Sequence, residues 1–202
     1  TAYSEGRGVA TNFTEAGKWC LKAAQAGHAG AQVELGLMTL AGEGFQKDSR
    51  VGLSWLRQAA ESGDVNAQGV LGCVLWGGVW RRDDVILVEK DAAESMKWFR
   101  KAAEKGDPIS QCHLARFYGQ GCGVPRDHVE EIKWFRKAAD QGQVKAMNYI
   151  GQCYEFHLQN YQEAVTWYLK AAEYRDWQSA NSLGEMCETG RGLPQDFTEA
   201  YK

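Results

Sequence analysis

The sequence predicts an all-α protein built as an array of about five two-helix units, and three observations lead to this prediction. The segment WFRKAAEKG at residues 98–106 returns almost unchanged as WFRKAADQG at residues 134–142. Looser copies begin at Trp19, Trp55 and Trp167, so one unit of the form W-Φ-x-x-A-A-x-x-G occurs five times. Successive tryptophans are 36, 43, 36 and 33 residues apart, a spacing typical of stacked helical repeats. We therefore expect one elongated body stabilised by contacts between neighbouring units.

The bulk composition argues against two classes of partner. Lys and Arg number 23 against 26 Asp and Glu, a net charge of -3 that gives no electrostatic reason to expect a nucleic acid. The longest apolar runs are far too short to span a bilayer, and no secretory signal is visible. The six cysteines do not recur at one place in the unit, so we interpret them as mostly buried thiols in a reducing compartment.

The first helix of each unit begins at an acid or amide seven residues before the tryptophan. These N-cap residues are Asn12, Asp48, Asp91, Asp127 and Asn160, with Asp196 starting a sixth copy. A glutamate follows three residues later in five of the six copies, at Glu15, Glu94, Glu130, Glu163 and Glu199. This spacing predicts a capping box, in which the N-cap and glutamate side chains each accept the other residue's backbone N–H.

The rest of the first helix is apolar over a wide arc when its residues are placed at 100° intervals. Such an arc indicates a helix that is covered on two sides, by its own partner helix and by a neighbouring unit. Each first helix ends at a glycine that is suited to the left-handed C′ conformation. These glycines are Gly27, Gly63, Gly106 and Gly142, and Arg175 replaces the glycine in the fifth copy.

A second helix follows, and its start is clearest at Asp107-Pro108, an N-cap followed by proline at the first helical position. An aliphatic residue and a small residue recur together in this helix, as in Leu71-Gly72 and Ile150-Gly151. Because glycine inside a helix costs about 1 kcal/mol relative to alanine, its return at one position predicts a close helix crossing. A G-x-G loop then closes the unit; it follows a helix rather than a strand, so we interpret it as a turn and not as a dinucleotide-binding loop.

Taken together, the segments A-x-x-W-Φ-x-x-A-A-x-x-G, A-Q-x-x-L-G and G-x-G-V-P-x-D resemble the Sel-one-like repeat (SLR) family, a relative of tetratricopeptide repeats. Residues 98–127 and 134–151 carry the resemblance most plainly, and it covers nearly the whole chain. It implies a right-handed α/α superhelix, or solenoid, of antiparallel helix pairs. It also implies an adaptor or scaffold in signalling, quality control or host–pathogen contact.

Two functions from different classes remain open. The first is a non-catalytic scaffold or adaptor that binds a protein or peptide, including the case of a bacterial immunity or effector protein. The second is a cell-wall-type, β-lactamase-like hydrolase, because a cysteine-stapled branch of the resembled family is associated with β-lactams. This sequence lacks the regular cysteine pairs and any S-x-x-K motif, so we predict that it is not an enzyme.

The main departure from the repeat is an insertion at residues 79–90. Trp80, Arg81 and Arg82 in this insertion predict a partner contact, because tryptophan and arginine dominate binding hot spots. The alternative, which we weigh equally, is that the run Val85 to Val88 folds back onto the array and fills a gap.

Two further departures lie in the last units. The loop after the fourth unit is three residues shorter than the regular loop and lacks both glycines, and there we favour a change of curvature over a binding site. Trp177 lies just after Arg175. An exposed Trp177 would indicate a ligand contact, whereas a buried one would only tighten a junction.

Lysines on the polar face of the first helices form the remaining candidate surface. We expect stacked units to align them as a basic ladder for an acidic peptide or protein, although Glu61, Glu104 and Asp140 are placed to neutralise nearby arginines within their own helices. The candidate contacts are Lys97, Lys101, Lys133, Lys137 and Lys170. No cofactor or metal site is predicted, since Cys112, His113, Cys122 and His128 lack metal-ligand spacing.

We expect a single helical-repeat domain over residues 1–202. Its repeats are 12–47, 48–90, 91–126, 127–159 and 160–195, with partial units at 1–11 and 196–202. Because repeat arrays need polar caps, we expect either a longer parent array or ends covered by another chain. The cysteine pattern favours the cytoplasm, and a periplasmic or secreted location stays open because a leader could precede Thr1.

Overall fold

The computed structural model describes residues 12–81, 84–86 and 88–193, and for the segments 79–81 and 84–86 it describes the backbone alone. Ten α-helices and one short antiparallel strand pair lie in these residues. The helices are α1 (Phe13–Gln25), α2 (Ala29–Ala41), α3 (Ser49–Glu61), α4 (Val65–Gly77), α5 (Ala92–Glu104), α6 (Pro108–Gln120), α7 (His128–Ala139), α8 (Val144–Gln152), α9 (Tyr161–Glu173) and α10 (Trp177–Glu188). The strands are β1 (Val79–Arg81) and β2 (Asp84–Ile86).

The chain divides into two compact units, Thr1–Ser110 and Gln111–Lys202, with the division inside the first turn of α6. In the first unit each helix from α1 to α5 packs against the next helix in sequence. The same order holds from α7 to α10 in the second unit. The predicted all-α fold class, a solenoid of helical repeats, is therefore confirmed. Among the helices that the structure describes, none has the length and apolar character of a membrane span.

The predicted N-caps are confirmed in the odd-numbered helices. In α1, α3, α5, α7 and α9 the N-cap side chain accepts the backbone N–H three residues later, at 2.8–3.2 Å. The other half of the predicted capping box is wrong. In α3, α5, α7 and α9 the N-cap N–H donates instead to a carbonyl of the preceding helical segment, as Asp91 does to Leu75 at 3.0 Å. This bond links each of these repeats to the repeat before it, and the glutamate side chain is then available to other partners.

The helix ends also follow the prediction. Gly27, Gly63, Gly106 and Gly142 all adopt positive φ, between 85° and 96°. Arg175 takes the same left-handed conformation at φ 61°, although a side chain makes that conformation unfavourable.

Close helix crossings account for the recurring glycines of the second helices. A Cβ built on Gly72 would lie 2.8 Å from the ring of Phe99, and one on Gly151 would lie 2.5 Å from the ring of Tyr168. Both rings belong to the residue after the tryptophan in the next first helix. At the equivalent Gly184, no described atom lies within 4 Å of such a Cβ. A glycine is therefore required at positions 72 and 151, where the next helix packs directly against it.

Alanine, leucine and aromatic side chains form the core of each unit. In the first unit one cluster includes Leu56, Ala59, Leu71 and Trp98. In the second, Val165, Tyr168, Leu183 and Met186 form a corresponding cluster between α9 and α10. The wide apolar arc predicted for the first helices is thus covered on both sides by neighbouring helices.

The two regions that depart from the repeat length differ in structure. The insertion forms the antiparallel pair β1–β2 in the register Val79 to Ile86, Trp80 to Val85 and Arg81 to Asp84, although the sequence indicated only a loop. After α8 the chain continues as a π-helical turn, Cys153–His157, closed by a hydrogen bond from the N–H of Leu158 to the carbonyl of Cys153 at 3.1 Å. A wider helical turn therefore takes the place of the glycine loop.

Candidate functional site

Four of the five repeat tryptophans, Trp19, Trp98, Trp134 and Trp167, have a lysine over the ring. The ammonium of Lys101 lies 4.2 Å from the ring centroid of Trp98, and Lys137 and Lys170 lie 3.9 and 4.3 Å from the rings of Trp134 and Trp167. These last three lysines are exposed while their tryptophans are buried. Since a cation–π contact leaves the ammonium charged and in water, each of these three repeats presents positive charge above a tryptophan ring.

The other two candidate lysines also have partners within their own helices. The ammonium of Lys97 lies 5.9 Å from the ring centroid of Trp98. Lys133 donates to Glu130 at 2.6 Å, and this hydrogen bond raises the pKa of Lys133. The proposed role of all five lysines in partner binding stays a prediction.

Arg57 illustrates how the glutamates of the repeat are used. The expected pairing of Arg57 with Glu61 four residues later is not the main contact: Nε and Nη2 of Arg57 donate to the two carboxylate oxygens of Glu94 at 2.8 and 2.7 Å. The indole N–H of Trp98 donates to Glu94 at 3.2 Å. These hydrogen bonds, led by the one from Arg57, lower the pKa of Glu94. Here Arg57 forms a bridge between α3 and α5, because Glu94 in the first turn of the next repeat is close enough to bind both nitrogens.

Both interpretations of the insertion, a partner contact and a gap-filling segment, stay open. The side chains of Trp80 and Arg81, and Arg82 as a whole, lie outside the described residues. Strand β2 lies against α2, and the side chain of Val88 packs on the core cluster of the first unit. Val88 thus behaves as the gap-filling alternative expects, while the contact role of Trp80, Arg81 and Arg82 stays a prediction.

Trp177 lies on the surface of the second unit with 74% of its area exposed. Tyr174, three residues earlier, is 62% exposed, and between them Arg175 has its left-handed backbone. Asp176 caps α10 by accepting the backbone N–H of Ser179 at 2.9 Å, which fixes the start of the helix that carries Trp177. Two exposed aromatic side chains and an arginine therefore share one four-residue turn.

A histidine cluster in the second unit was missed by the sequence interpretation. His128, Glu131 and His157 each offer a ligand atom, and these atoms lie within 4.8 Å of one another. Nδ1 of His128 and Oε2 of Glu131 form a hydrogen bond of 2.7 Å, and the rings of His128 and His157 stack with centroids 4.1 Å apart. His128 and Glu131 share a helix face because they are three residues apart, but His157 reaches them only through the π-helical turn.

A cavity of about 540 Å³ opens beside this cluster. Its lining includes Glu131, Cys153, His157 and the arginines Arg116 and Arg126. Burial, followed by the negative charge of Glu131, raises the pKa of the Cys153 thiol. Burial likewise raises the pKa of Cys73 to about 11. Because the thiolate is the reactive form of cysteine, neither thiol is prepared to act as a nucleophile. No disulfide links any of the six cysteines, all of which are among the described residues.

Comparison with known proteins identifies the class to which this architecture belongs. The model of the Sel1 repeat matches residues 1–28, 29–64, 71–107, 108–143, 144–173 and 177–202. The inner matches begin with the second helix of one unit and end with the first helix of the next, which is an alternative starting point on the same periodic array. The chain belongs to the Sel1 repeat family.

Two solved structures are similar to this chain over nearly its whole length. One is a protective antigen with an SLR fold, present in uropathogenic Escherichia coli strains; the identity is 34%, the TM-score 0.82, and the match covers 98% of this chain and 41% of the antigen. The other is a Sel1 repeat protein from Oxalobacter formigenes, with 32% identity, a TM-score of 0.74, and coverage of 99% of this chain and 80% of that one. This chain thus spans about two fifths of the length of the first relative.

Family membership carries a general function. Sel1 repeat proteins generally mediate protein–protein interactions, and the repeat is generally a non-catalytic scaffold. Protein partners are therefore expected for this chain as a class.

Proposed function

We propose that this chain is a non-catalytic adaptor that binds a protein or peptide through a surface centred on Trp177. The observation that carries the proposal is the exposure of this indole, 74% of which lies in water. Tryptophan, tyrosine and arginine are the residues that contribute most to binding energy at protein interfaces. A turn that presents Tyr174, Arg175 and Trp177 together is better explained by a partner than by the stability of the free chain.

The neighbouring charges support an acidic partner. Lys170 lies four residues before Tyr174, so both project from one side of α9 and its end. Lys133 and Lys137 add exposed positive charge in the same unit. An acidic surface would be attracted by these lysines and held by the aromatic side chains. In the first unit, Lys97, Lys101 and the insertion residues Trp80, Arg81 and Arg82 are proposed as further contacts.

Similarity to proteins from two bacteria supports a bacterial setting for this adaptor. Within that setting we propose an immunity or effector type of role, in which the array occupies the surface of another protein. The single-domain organisation with repeats at 12–47, 48–90, 91–126, 127–159 and 160–195 is part of the same proposal, because the adaptor function needs stacked units.

Site-specific cross-linking tests the contact surface. A photoreactive phenylalanine analogue is introduced at Trp177 in the full-length protein, expressed in its own cells, and irradiated. The matched control carries the same analogue at Val129, which is 72% exposed in the same unit but lies between Asp127 and Glu130. We expect a discrete protein adduct from position 177 and none from position 129. No adduct at 177, or equal adducts at both positions, would contradict the proposed surface.

A separate assay addresses catalysis. The purified chain is incubated with a chromogenic β-lactam, and we expect no turnover above buffer. Turnover that a single serine or cysteine substitution abolishes would replace the adaptor proposal with the hydrolase alternative.

A further inference from the structure

We propose that His128, Glu131 and His157 form a binding site for a divalent cation of the zinc class. Two imidazole nitrogens and one carboxylate oxygen are a ligand set that suits Zn²⁺ and neighbouring transition metals rather than Mg²⁺ or Ca²⁺. The proposal concerns a site that the adaptor function does not use.

The local geometry already brings two ligands together. His128 and Glu131 lie in the first turn of α7, and their Nδ1 and Oε2 atoms are 2.7 Å apart. Around a tetrahedral zinc ion with bonds of about 2.0–2.2 Å the two atoms would lie about 3.4 Å apart, so coordination requires them to separate by less than about 1 Å. The ion would replace the hydrogen bond between the two atoms, and any proton displaced from a ligand atom would leave to solvent.

Burial makes the carboxylate a fixed ligand. Glu131 is only 7% exposed, and the Cys153 thiol hydrogen-bonds to it from the π-helical turn. A Cβ on Gly119 would collide with this carboxylate, so the glycine leaves the space that the side chain of Glu131 occupies. A buried carboxylate needs compensation by hydrogen bonds or by a cation, and here the surrounding donors include a weak thiol.

His157 provides the third ligand from the π-helical turn. It is the last residue of the π-helical turn and its side chain is exposed, so its ring is able to rotate. The three ligand atoms now lie within 4.8 Å, and ligand atoms around a tetrahedral zinc ion are about 3.4 Å apart. Coordination therefore requires the imidazole of His157 to move by roughly 1 Å and to leave its stacked orientation on His128.

Three protein ligands leave a coordination position open. Glu131 and His157 border the cavity, so the open position would face it. Arg116 and Arg126 also line the cavity; their positive charge weakens the attraction for a bare cation and favours an anion or a water molecule as the fourth ligand. π-Helical turns are often found at functional sites, which agrees with the placement of this cluster.

Metal titration of the intact 202-residue chain tests the site. Zn²⁺ binding is measured by calorimetry and Co²⁺ binding by its visible absorption spectrum, and we expect one ion per chain. His157→Gln should weaken binding at least about 100-fold, since even the loss of an outer-shell partner costs about 10–100-fold. His157 is exposed, so this variant should keep its helical circular dichroism, and Glu131→Gln is interpreted only if it also does.

Two controls separate this site from other metal-binding groups. His28→Gln removes an exposed histidine from the first unit and should leave the affinity unchanged. Cys153→Ser removes the adjacent thiol and should also retain binding. The proposal is overturned if the wild-type chain binds no ion, if His157→Gln binds as tightly as the wild type, or if a thiolate-to-cobalt charge-transfer band shows that cysteines are the ligands.

Discussion

Two helix junctions share one packing arrangement but differ in their hydrogen bonds. The first joins α4 and α5 in the first unit, and the second joins α8 and α9 in the second unit. In both, a glycine of the second helix receives an aromatic ring from the next first helix, Gly72 with Phe99 and Gly151 with Tyr168. In the first unit, the Ser95 hydroxyl also donates to the carbonyl of Gly72 at 2.8 Å. This hydrogen bond joins the two helices directly.

In the second unit the π-helical turn joins the junction. Glu155 of this turn is buried and accepts the hydroxyl of Tyr168 at 2.9 Å. Arg191 lies 3.3 Å from the other carboxylate oxygen. The long loop and the short loop therefore both occur with a glycine-to-ring crossing, and at the short loop the helix end becomes a turn that contributes a buried acid to the crossing.

Replacing the crossing glycines should have the largest effect. We expect Gly151→Ala to destabilise the chain by about 3 kcal/mol and Gly72→Ala by about 2 kcal/mol, within the usual range for overpacking. The difference arises because the hydrogen bond to Glu155 adds to packing in holding the Tyr168 ring in place. Urea unfolding followed by circular dichroism measures both values.

Gly184→Ala is the matched control, because Gly184 has the same position in the unit and no described atom near its Cβ site. It should stabilise the chain by up to about 1 kcal/mol through helix propensity. Equal effects at Gly72, Gly151 and Gly184 would show that the crossings are not the reason for the glycines.

Removing the Tyr168 hydroxyl should break the feature that is specific to the second unit. Burial, followed by the hydrogen bond to Glu155, raises the pKa of Tyr168, so the phenol remains a donor at neutral pH. Tyr168→Phe should cost about 2 kcal/mol, as expected for a buried hydrogen bond to a charged acceptor. Thermal or urea unfolding at neutral pH provides the measurement.

Tyr154→Phe serves as the comparison for that experiment. Its hydroxyl accepts a hydrogen bond from Arg136 at 2.7 Å in an exposed setting. The loss should be about 0.5 kcal/mol. A cost for Tyr168→Phe as small as this one would mean that Glu155 does not stabilise the junction.

Apart from the control variants, the smallest expected effect belongs to the Arg57–Glu94 pair of the first unit. Glu94→Gln should cost about 1 kcal/mol at pH 7, a value near the upper limit for partly exposed pairs because the contact is bidentate. The folded state lowers the pKa of Glu94 below its ordinary value of 4.5, so the stabilisation is present above that value and is lost as the pH falls through the lowered pKa.

The pH dependence of unfolding tests this assignment. We compare the urea midpoints of the wild type and Glu94→Gln between pH 7 and the acid range. The difference should shrink as the pH falls, since the protonated glutamate and the glutamine are both neutral. If the difference between the two midpoints does not change with pH, the charge of Glu94 does not contribute to stability.

Much of the local structure was predictable from sequence because it depends on residues that are close in the chain. The side chain of the N-cap Asp91 accepts the N–H of Glu94 three residues later. The helix end at Gly106 requires nothing more than a positive φ at that glycine. The close crossing at Gly72 was also predictable, since a costly residue that returns at one position indicates a steric requirement. The exposed setting that makes Trp177 a candidate contact was stated only as one of two alternatives, because the sequence does not show which loops are covered.

The partners of charged and titratable side chains were harder to predict. Glu94 was expected to bond its own N-cap, yet it binds Arg57, 37 residues away in the chain. The i, i+3 pair His128 and Glu131 was a usable signal, but the approach of His157 to them could not be inferred, because the short loop after the fourth unit indicated only a change of curvature. Both contacts depend on how neighbouring helices are aligned.

The sequence by itself determined the repeat, the helix caps, the turn glycines and the fold class of this protein. Each of these follows from periodicity or from the conformational limits of single residues. The tertiary structure alone decided that Arg57 would bridge two units, that Glu155 would bury itself against Tyr168, and that two histidines and a glutamate would meet. Those contacts join residues that are distant in the chain, so they arise only when the register of packed helices brings the side chains within hydrogen-bonding distance.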